Sequence, residues 1–479
     1  MTSVLLVVFD GLRPDAIRPD VTPHLQRFAD LAARLPKARS VFPSETRVCT
    51  SSVATGSHPR RHGLVANRMI HPGDASRIVD TGNAVKLRDM EQETGAPALL
   101  VPTLSDLLAQ AGRDFAVFSS GTSGQTFLLA PRAEAHGQTV VSVHGAQVST
   151  TAGRKLMERL PPPPQAPAER AVWIADAWRT TMLPQPPAAS VLWLCEPDTS
   201  AHYDGLDSPA QRRKLAAADA AFGRILDDWQ AGPHRESLQI IVASDHGHVT
   251  GDGLVDVLGE LRGHRLFAGC TLTGGPSGGI AVPDGARDRI VGLAEFLMRQ
   301  DWISHVLTAD VIDPAHGALP LAAALVDHRR TAHVLYTLRN GPGVAANGLP
   351  GTSLPGTSLL DAAGGLAVGG GTHGGLNRGE LATVLMLGGS AVRRGVSSNW
   401  PAGLVDIAPT ILALLGVPGG AAMDGRVLSE VLAEGAEPAE SHSPESWEAA
   451  GEGYAQRIQR VRVGRHVWID HGAREAISG

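Results

Sequence analysis

With 479 residues, 43% of them hydrophobic and 19% charged, the chain has enough apolar material for a large buried core, which excludes a disordered polypeptide. A formal net charge of −6 provides no basic surplus to neutralise a run of phosphates, so a nucleic-acid polymer is not an expected partner. Three cysteines, Cys49, Cys195 and Cys270, are too few and too scattered for a disulfide framework and suit a reducing compartment.

Residues 3–9 form a continuous apolar, β-branched run ending at Asp10, the pattern of a strand buried on both faces. This opening lacks the basic leader and small-residue cleavage site of an export signal, and no segment is long enough to span a bilayer. A cytoplasmic protein without a membrane partner is expected. Helices are expected over 103–112, 167–181 and 208–230, each followed by a short apolar run: FAVFSS, SVLWLCEPD and LQIIVASDHGH. Strand alternating with helix predicts an α/β fold with a mostly parallel central sheet flanked by helices. Leu160 to Ala168 reads as a proline-rich, semi-rigid connector.

From 251 to 369 the chain becomes glycine-rich and broken into short apolar pieces, which reads as an inserted cap. Within it, GLPGTSLPGTSLL reads as a loop with a small internal duplication. The segments LATVLMLGG and LVDIAPTILALLG then return to the core as a strand and a helix. A catalytic core of 1–250 and 370–430 is therefore expected, with 431–479 as a C-terminal extension. The acidic, polar start of the extension reads as a linker, and IQRVRVGRHVWID as one last strand-like run.

Three core strands end in acids, Asp10, Asp198 and Asp245, and in sheets of this kind ligands bind beyond the carboxyl ends of the strands. His202 follows Asp198 by four residues, His246 adjoins Asp245, and His373 lies in GGGTHGG. A mixed set of carboxylates and imidazoles suits Zn²⁺ first and Mn²⁺ second, whereas an all-oxygen set would suit Mg²⁺ or Ca²⁺. Thr46, in FPSET, opens a helix-like stretch and suits its N-cap, where free N–H groups also favour an anionic phosphate. His248 is placed near the site but outside the ligand set. His58, His62, His136, His144, His264 and His471 read as structural or exposed.

These clusters, VVFDG, FPSET, EPDTSAH, SDHGH and GGGTHGG in that order, resemble the alkaline phosphatase superfamily. Within it they are similar to the type I phosphodiesterase/nucleotide pyrophosphatase group and to phosphonoacetate hydrolase, over about residues 1–250 and 370–430. The resemblance implies two divalent metal ions. Asp10, Thr46, Asp245 and His246 would ligate one, and Asp198, His202 and His373 the other. It also implies Thr46 as nucleophile and Asn67, 21 residues further on, as a donor to a phosphate oxygen. The chain departs from the group in carrying Ser200-Ala201 before His202, where a glycine usually precedes the histidine. A threonine outside any CxPxR context argues against a sulfatase.

The implied chemistry is hydrolysis of a phosphodiester or pyrophosphate bond in a small molecule through a phospho-threonine. Two alternatives share the same residues: a carbon–phosphorus hydrolase acting on a phosphonate, and a non-catalytic protein that keeps the metals for structure. Arg13 and Arg47 read as exposed basic residues beside a loop, with contact to phosphate as the alternative. The sequence leaves oligomeric state open.

Overall fold

The computed structural model describes residues 2–283, 285–309, 316–354 and 367–475. Its centre is a seven-stranded sheet built from β1 (Ser3–Phe9), β2 (Ala33–Arg34), β3 (Phe115–Ser119), β4 (Thr139–Ser142), β5 (Ala189–Leu194), β6 (Leu238–Ala243) and β7 (Leu385–Gly388). The spatial order is β2-β7-β6-β1-β5-β3-β4. The pairs β1–β5, β1–β6, β3–β5 and β3–β4 are parallel, while β7 runs antiparallel to both β6 and β2.

The continuous apolar run of β1 is explained by burial on both sides. Val4, Leu6 and Val8 join one core with Trp193 and Ile411, while Leu5, Val7 and Phe9 join another with Trp178 and Phe222. Successive side chains of a strand point to opposite faces, so a strand with helices on each side has no polar position to spare.

The flanking helices start where local chemistry requires. Leu104–Gln110 opens on a capping box in which Thr103 Oγ1 accepts from Asp106 N and Asp106 Oδ2 accepts from Thr103 N. Pro167–Thr181 and Pro209–Ala231 each begin with proline in the first turn, where its missing N–H costs nothing. The proline-rich connector has no regular structure up to Ala166, its last two residues opening the helix Pro167–Thr181, and is pinned by Trp173 Nε1 on Pro161 O and Arg170 Nε on Pro164 O, both 2.9 Å.

Residues 271–338 add a separate five-stranded sheet in the order Thr271–Thr273, Ser277–Ala281, Val334–Leu338, Ile303–Thr308, Leu319–Pro320. The duplicated segment 348–360 lies outside the described residues from 355 onward. The extension differs from expectation. Its polar start becomes a strand from His442 to Gly451, antiparallel to Tyr454–Val463, which pairs in turn with His466–Glu475. The first strand is mostly exposed, which makes its composition read as linker, but the Arg460 guanidinium lies 4.8 Å over the Trp447 ring and Ala449 is buried. Among the described residues, no helix is long and apolar enough to cross a membrane.

Candidate metal centre

The carboxyl ends of β1, β5 and β6 converge. Asp10 follows β1 directly, Asp198 opens the short helix Asp198–Asp204 beyond β5, and Asp245 stands two residues past β6. His202 is one helical turn from Asp198, which brings its Nε2 to 3.2 Å from Asp198 Oδ1. His373 follows the short strand Gly371–Thr372. Gly11 makes the crowding possible: its φ is +67°, and a Cβ there would lie 2.2 Å from His248 Cε1.

All seven residues expected as metal ligands lie in one cluster. Nε2 of His246 is 3.4 Å from Asp10 Oδ1, 3.4 Å from Asp245 Oδ2, 3.4 Å from Thr46 Oγ1 and 3.9 Å from Asp198 Oδ1. Nε2 of His373 is 3.3 Å from Asp198 Oδ1 and 3.2 Å from His202 Nε2, and its ring stacks on that of His246 at 3.5 Å. Two groups of atoms are close enough to share an ion: Asp10, Asp245 and His246, and Asp198, His246, His248 and His373. His248 is thus the ligand candidate that the sequence reading left out. Its Nε2 is 3.1 Å from Asp198 Oδ1. The signal was available in SDHGH, because extended backbone places residues two apart on the same side.

The donor set fits divalent cations on two observations. First, all four imidazoles tie Nδ1 to a backbone carbonyl: His202 to Gly371, His246 to Gly247, His248 to Gly11 and His373 to Ser44, at 2.7–3.0 Å. That fixes the tautomer and turns each Nε2 lone pair inward, as metal ligation requires. Second, the carboxylates are half satisfied. Asp10 Oδ2 accepts from Trp193 Nε1, and Asp245 Oδ1 accepts from Gly11 N and His246 N, but Asp10 Oδ1 and Asp245 Oδ2 are buried with no hydrogen-bond partner among the described residues. Buried polar atoms are rarely left so.

The electrostatics say the same. Burial, then the charges of Asp245 and Asp198, hold Asp10 well above the usual carboxylate range, and burial likewise pushes Asp245 up to about 7. Burial lowers His248 to about 4 and holds His246 well below the usual imidazole range. Asp198 is held well below its ordinary value, because His202 and the hydrogen bonds of His202, His248 and His373 outweigh its burial. A bound cation would favour the carboxylate and neutral-imidazole forms together. The cluster opens to solvent at Asp198 and His202, whose side chains are 17% and 16% exposed.

Thr46 is the first residue of the helix Thr46–Thr55. The N-cap position belongs to Glu45, which makes no side-chain capping bond, so Thr46 is not the cap its sequence context suggested. Its hydroxyl is left facing the cluster. Asn67 lies alongside, its Oδ1 accepting from Arg47 N at 3.1 Å and its own N–H donating to Glu45 Oε2. Glu45 also accepts from Ser277 Oγ at 3.2 Å, which joins the five-stranded sheet to the helix that begins at Thr46. Arg13 is occupied elsewhere, donating to Asp15 and to the carbonyl of His248.

An α/β sheet carrying two linked carboxylate–imidazole groups at its carboxyl edge, with a hydroxyl at a helix N-terminus between them, defines an alkaline phosphatase-like protein. The chain belongs to the type I phosphodiesterase/nucleotide pyrophosphatase family, whose profile matches residues 4–333. It is 25% identical over 246 residues to bis(5'-adenosyl)-triphosphatase ENPP4 of Bos taurus, a match covering 51% of this chain and 47% of that one. It is also 25% identical to ectonucleotide pyrophosphatase/phosphodiesterase family member 5 of Homo sapiens, over 51% of this chain and 44% of the other. The chain thus spans about half the length of these curated relatives. The solved structure of human ectonucleotide pyrophosphatase/phosphodiesterase 5 shares the fold, with a TM-score of 0.62 at 17% identity over 90% of this chain and 100% of that one. So does an inactive threonine-to-alanine variant of the murine protein in complex with AMP, with a TM-score of 0.61 at 18% identity over 87% and 96%.

Proposed function

We propose that the protein is a divalent-metal-dependent hydrolase of phosphodiester or pyrophosphate bonds in small, nucleotide-like substrates, acting through a phospho-threonine at Thr46. The observation that carries this reading is the position of Thr46 Oγ1, 3.4 Å from the Nε2 of His246, the one imidazole common to both candidate ion groups. It is supported by family membership and by the AMP complex of the murine relative, in which a threonine-to-alanine change accompanies inactivity.

Asp10, Asp245 and His246, with Thr46, would hold one ion, and Asp198, His202, His248 and His373 the other. When bound, such ions supply Lewis-acid stabilisation of charge developing on the phosphoryl oxygens and acidify a neighbouring hydroxyl. Thr46 Oγ1 forms the new bond to phosphorus and gives its proton to solvent, while the leaving oxygen departs with the electron pair of the broken bond and takes a proton from solvent. Asn67, its Oδ1 fixed by Arg47 N, turns its amide nitrogen to a non-bridging oxygen. Water then attacks the phospho-threonine, the Thr46 oxygen leaves, and two inversions give net retention at phosphorus.

The test is steady-state hydrolysis of bis-p-nitrophenyl phosphate, nucleotide polyphosphates and phosphonoacetate by wild type and Thr46→Ala, with metal content measured on both. Turnover lost in a variant that still binds metal supports the reading, whereas undiminished turnover or inverted configuration from a chiral phosphorothioate removes Thr46 as nucleophile. Preferential cleavage of phosphonoacetate would redirect the reading to carbon–phosphorus hydrolysis on the same residues.

A further inference from the structure

Arg47 stands immediately after the proposed nucleophile, and its guanidinium is left over. Its backbone is engaged, N–H on Asn67 Oδ1 and carbonyl accepting from Ser51 Oγ, but its side chain makes no hydrogen bond or ion pair among the described residues. Nε is fully buried and without a partner, although the residue as a whole is only half-buried. A buried guanidinium nitrogen without an acceptor is costly unless something else supplies one.

The nearby carboxylates do not. Arg47 is within electrostatic reach of Asp10 and Glu45, yet bonds to neither: Glu45 Oε2 is taken by Asn67 N and Glu45 Oε1 by Ser277 Oγ, while Asp10 gives Oδ2 to Trp193 Nε1 and turns Oδ1 toward His246 Nε2 at 3.4 Å. Asp80 also lies near Gly82, its Oδ1 accepting from Gly82 N at 2.9 Å, and makes no bond to Arg47. Gly82 packs against the guanidinium without crowding it, since even a Cβ there would make only ordinary contact, 3.7 Å from Cζ and Nε of Arg47. A cation with an open face, beside Thr46 and Asn67 and at the positive end of a ten-residue helix, is placed to receive an anion.

We infer that Arg47 is a specificity-determining residue that binds a second anionic group of the substrate, adjacent to the phosphorus Thr46 attacks. The proposal rests on the hydrolase reading above and narrows it: the preferred substrate carries two neighbouring oxyanion groups, the second being a further phosphate of a polyphosphate chain or a carboxylate. Arginine suits either, because its planar fork matches both in a bidentate manner.

The test is calorimetric binding of methylenediphosphonate, phosphonoacetate and methylphosphonate to the full-length, zinc-loaded protein, in wild type, Arg47→Ala, Arg47→Gln and Arg47→Lys. Wild type is expected to bind a two-anion probe about tenfold or more tightly than methylphosphonate, a preference lost in Arg47→Ala and Arg47→Gln and partly restored in Arg47→Lys. Tighter binding of methylenediphosphonate assigns the second group as phosphate, and tighter binding of phosphonoacetate assigns it as carboxylate. The glutamine variant keeps the side chain's bulk, and matching melting curves separate lost recognition from lost folding. Equal binding of all three probes by wild type, or a preference that changes less than about threefold in both neutral variants, overturns the proposal. Because binding needs no turnover, an Arg47-dependent preference in a protein that hydrolyses nothing would sink the hydrolase reading alone, and hydrolysis without that preference would sink this one alone.

Discussion

Two clusters of buried charge in the protein satisfy their carboxylates to different degrees. Where the C-terminal sheet meets the core, Asp406 Oδ1 accepts from Arg426 N, its Oδ2 from Gly403 N and Trp468 Nε1, and Glu430 takes Arg426 through both oxygens at 2.7 Å. Every carboxylate oxygen there is used. At the carboxyl edge of the central sheet, Asp10 and Asp245 each use one oxygen and leave the other buried without a partner among the described residues. Both clusters pushed an acid upward by burial, Asp406 to about 6 and Asp245 to about 7, so burial alone does not tell them apart. Saturation does: the carboxylate oxygens of the first cluster are all paired, and those of the second are only half paired.

The largest expected effect follows from that difference. Asp245→Asn should lower hydrolysis of a competent substrate by about 10³-fold or more and reduce the metal content of the protein, as measured by turnover and elemental analysis. Unchanged metal content with full turnover would break the comparison. His248→Ala comes next. An imidazole so close to Asp198, with its Nδ1 held by Gly11, should contribute about 10- to 100-fold in metal affinity, read from competition with a chelator.

Stability in chelated protein sharpens the contrast through its sign. Asp245→Asn removes one of several buried like charges and places an amide where an oxygen had no partner, so the metal-free variant should be more stable than wild type by about 1 kcal/mol. Asp406→Asn places an amide donor against groups that already donate, and should cost about 2 kcal/mol. Urea unfolding of both variants with chelator present decides it. Destabilisation by both would mean that the two clusters are the same kind of structure.

How much of this was legible in the sequence depended on whether the pattern was local. The run at β1 betrayed a doubly buried strand because every position is apolar, and the acids at the ends of β1, β5 and β6 could be read because strand ends are where such sheets place ligands. His248 was placed near the site from its spacing to His246 but kept outside the ligand set, and only the folded chain shows its Nε2 beside Asp198. The antiparallel course of β7 leaves no trace in a four-residue strand, since direction is set by the connection and not by composition. The strand His442–Gly451 read as linker because its contacts come from residues elsewhere in the chain, above all Arg460 over Trp447. Nor was the distinction between Arg13 and Arg47 available before the structure showed one saturated and the other open.

A pH-dependent effect tests the closed side of the comparison. His58 is buried, its N–H is held by Asp424 Oδ2, and its Nε2–H donates to Val467 O, fastening the C-terminal sheet at 2.9 Å. Burial lowers its pKa to about 4, against 6.5 in the unfolded chain, with Asp424 opposing. Between those values the unfolded chain binds a proton that the folded protein refuses, so stability from this residue is fully present above pH 6.5 and is lost as pH falls toward 4. The loss should amount to about 2–3 kcal/mol across that window. In His58→Gln that share of the pH slope should vanish, measured as the difference between urea midpoints of variant and wild type at pH 7 and pH 4.5 under the same metal-free conditions. Parallel slopes for the two proteins would show that the protonation of His58 does not govern the hold of the C-terminal sheet on the core.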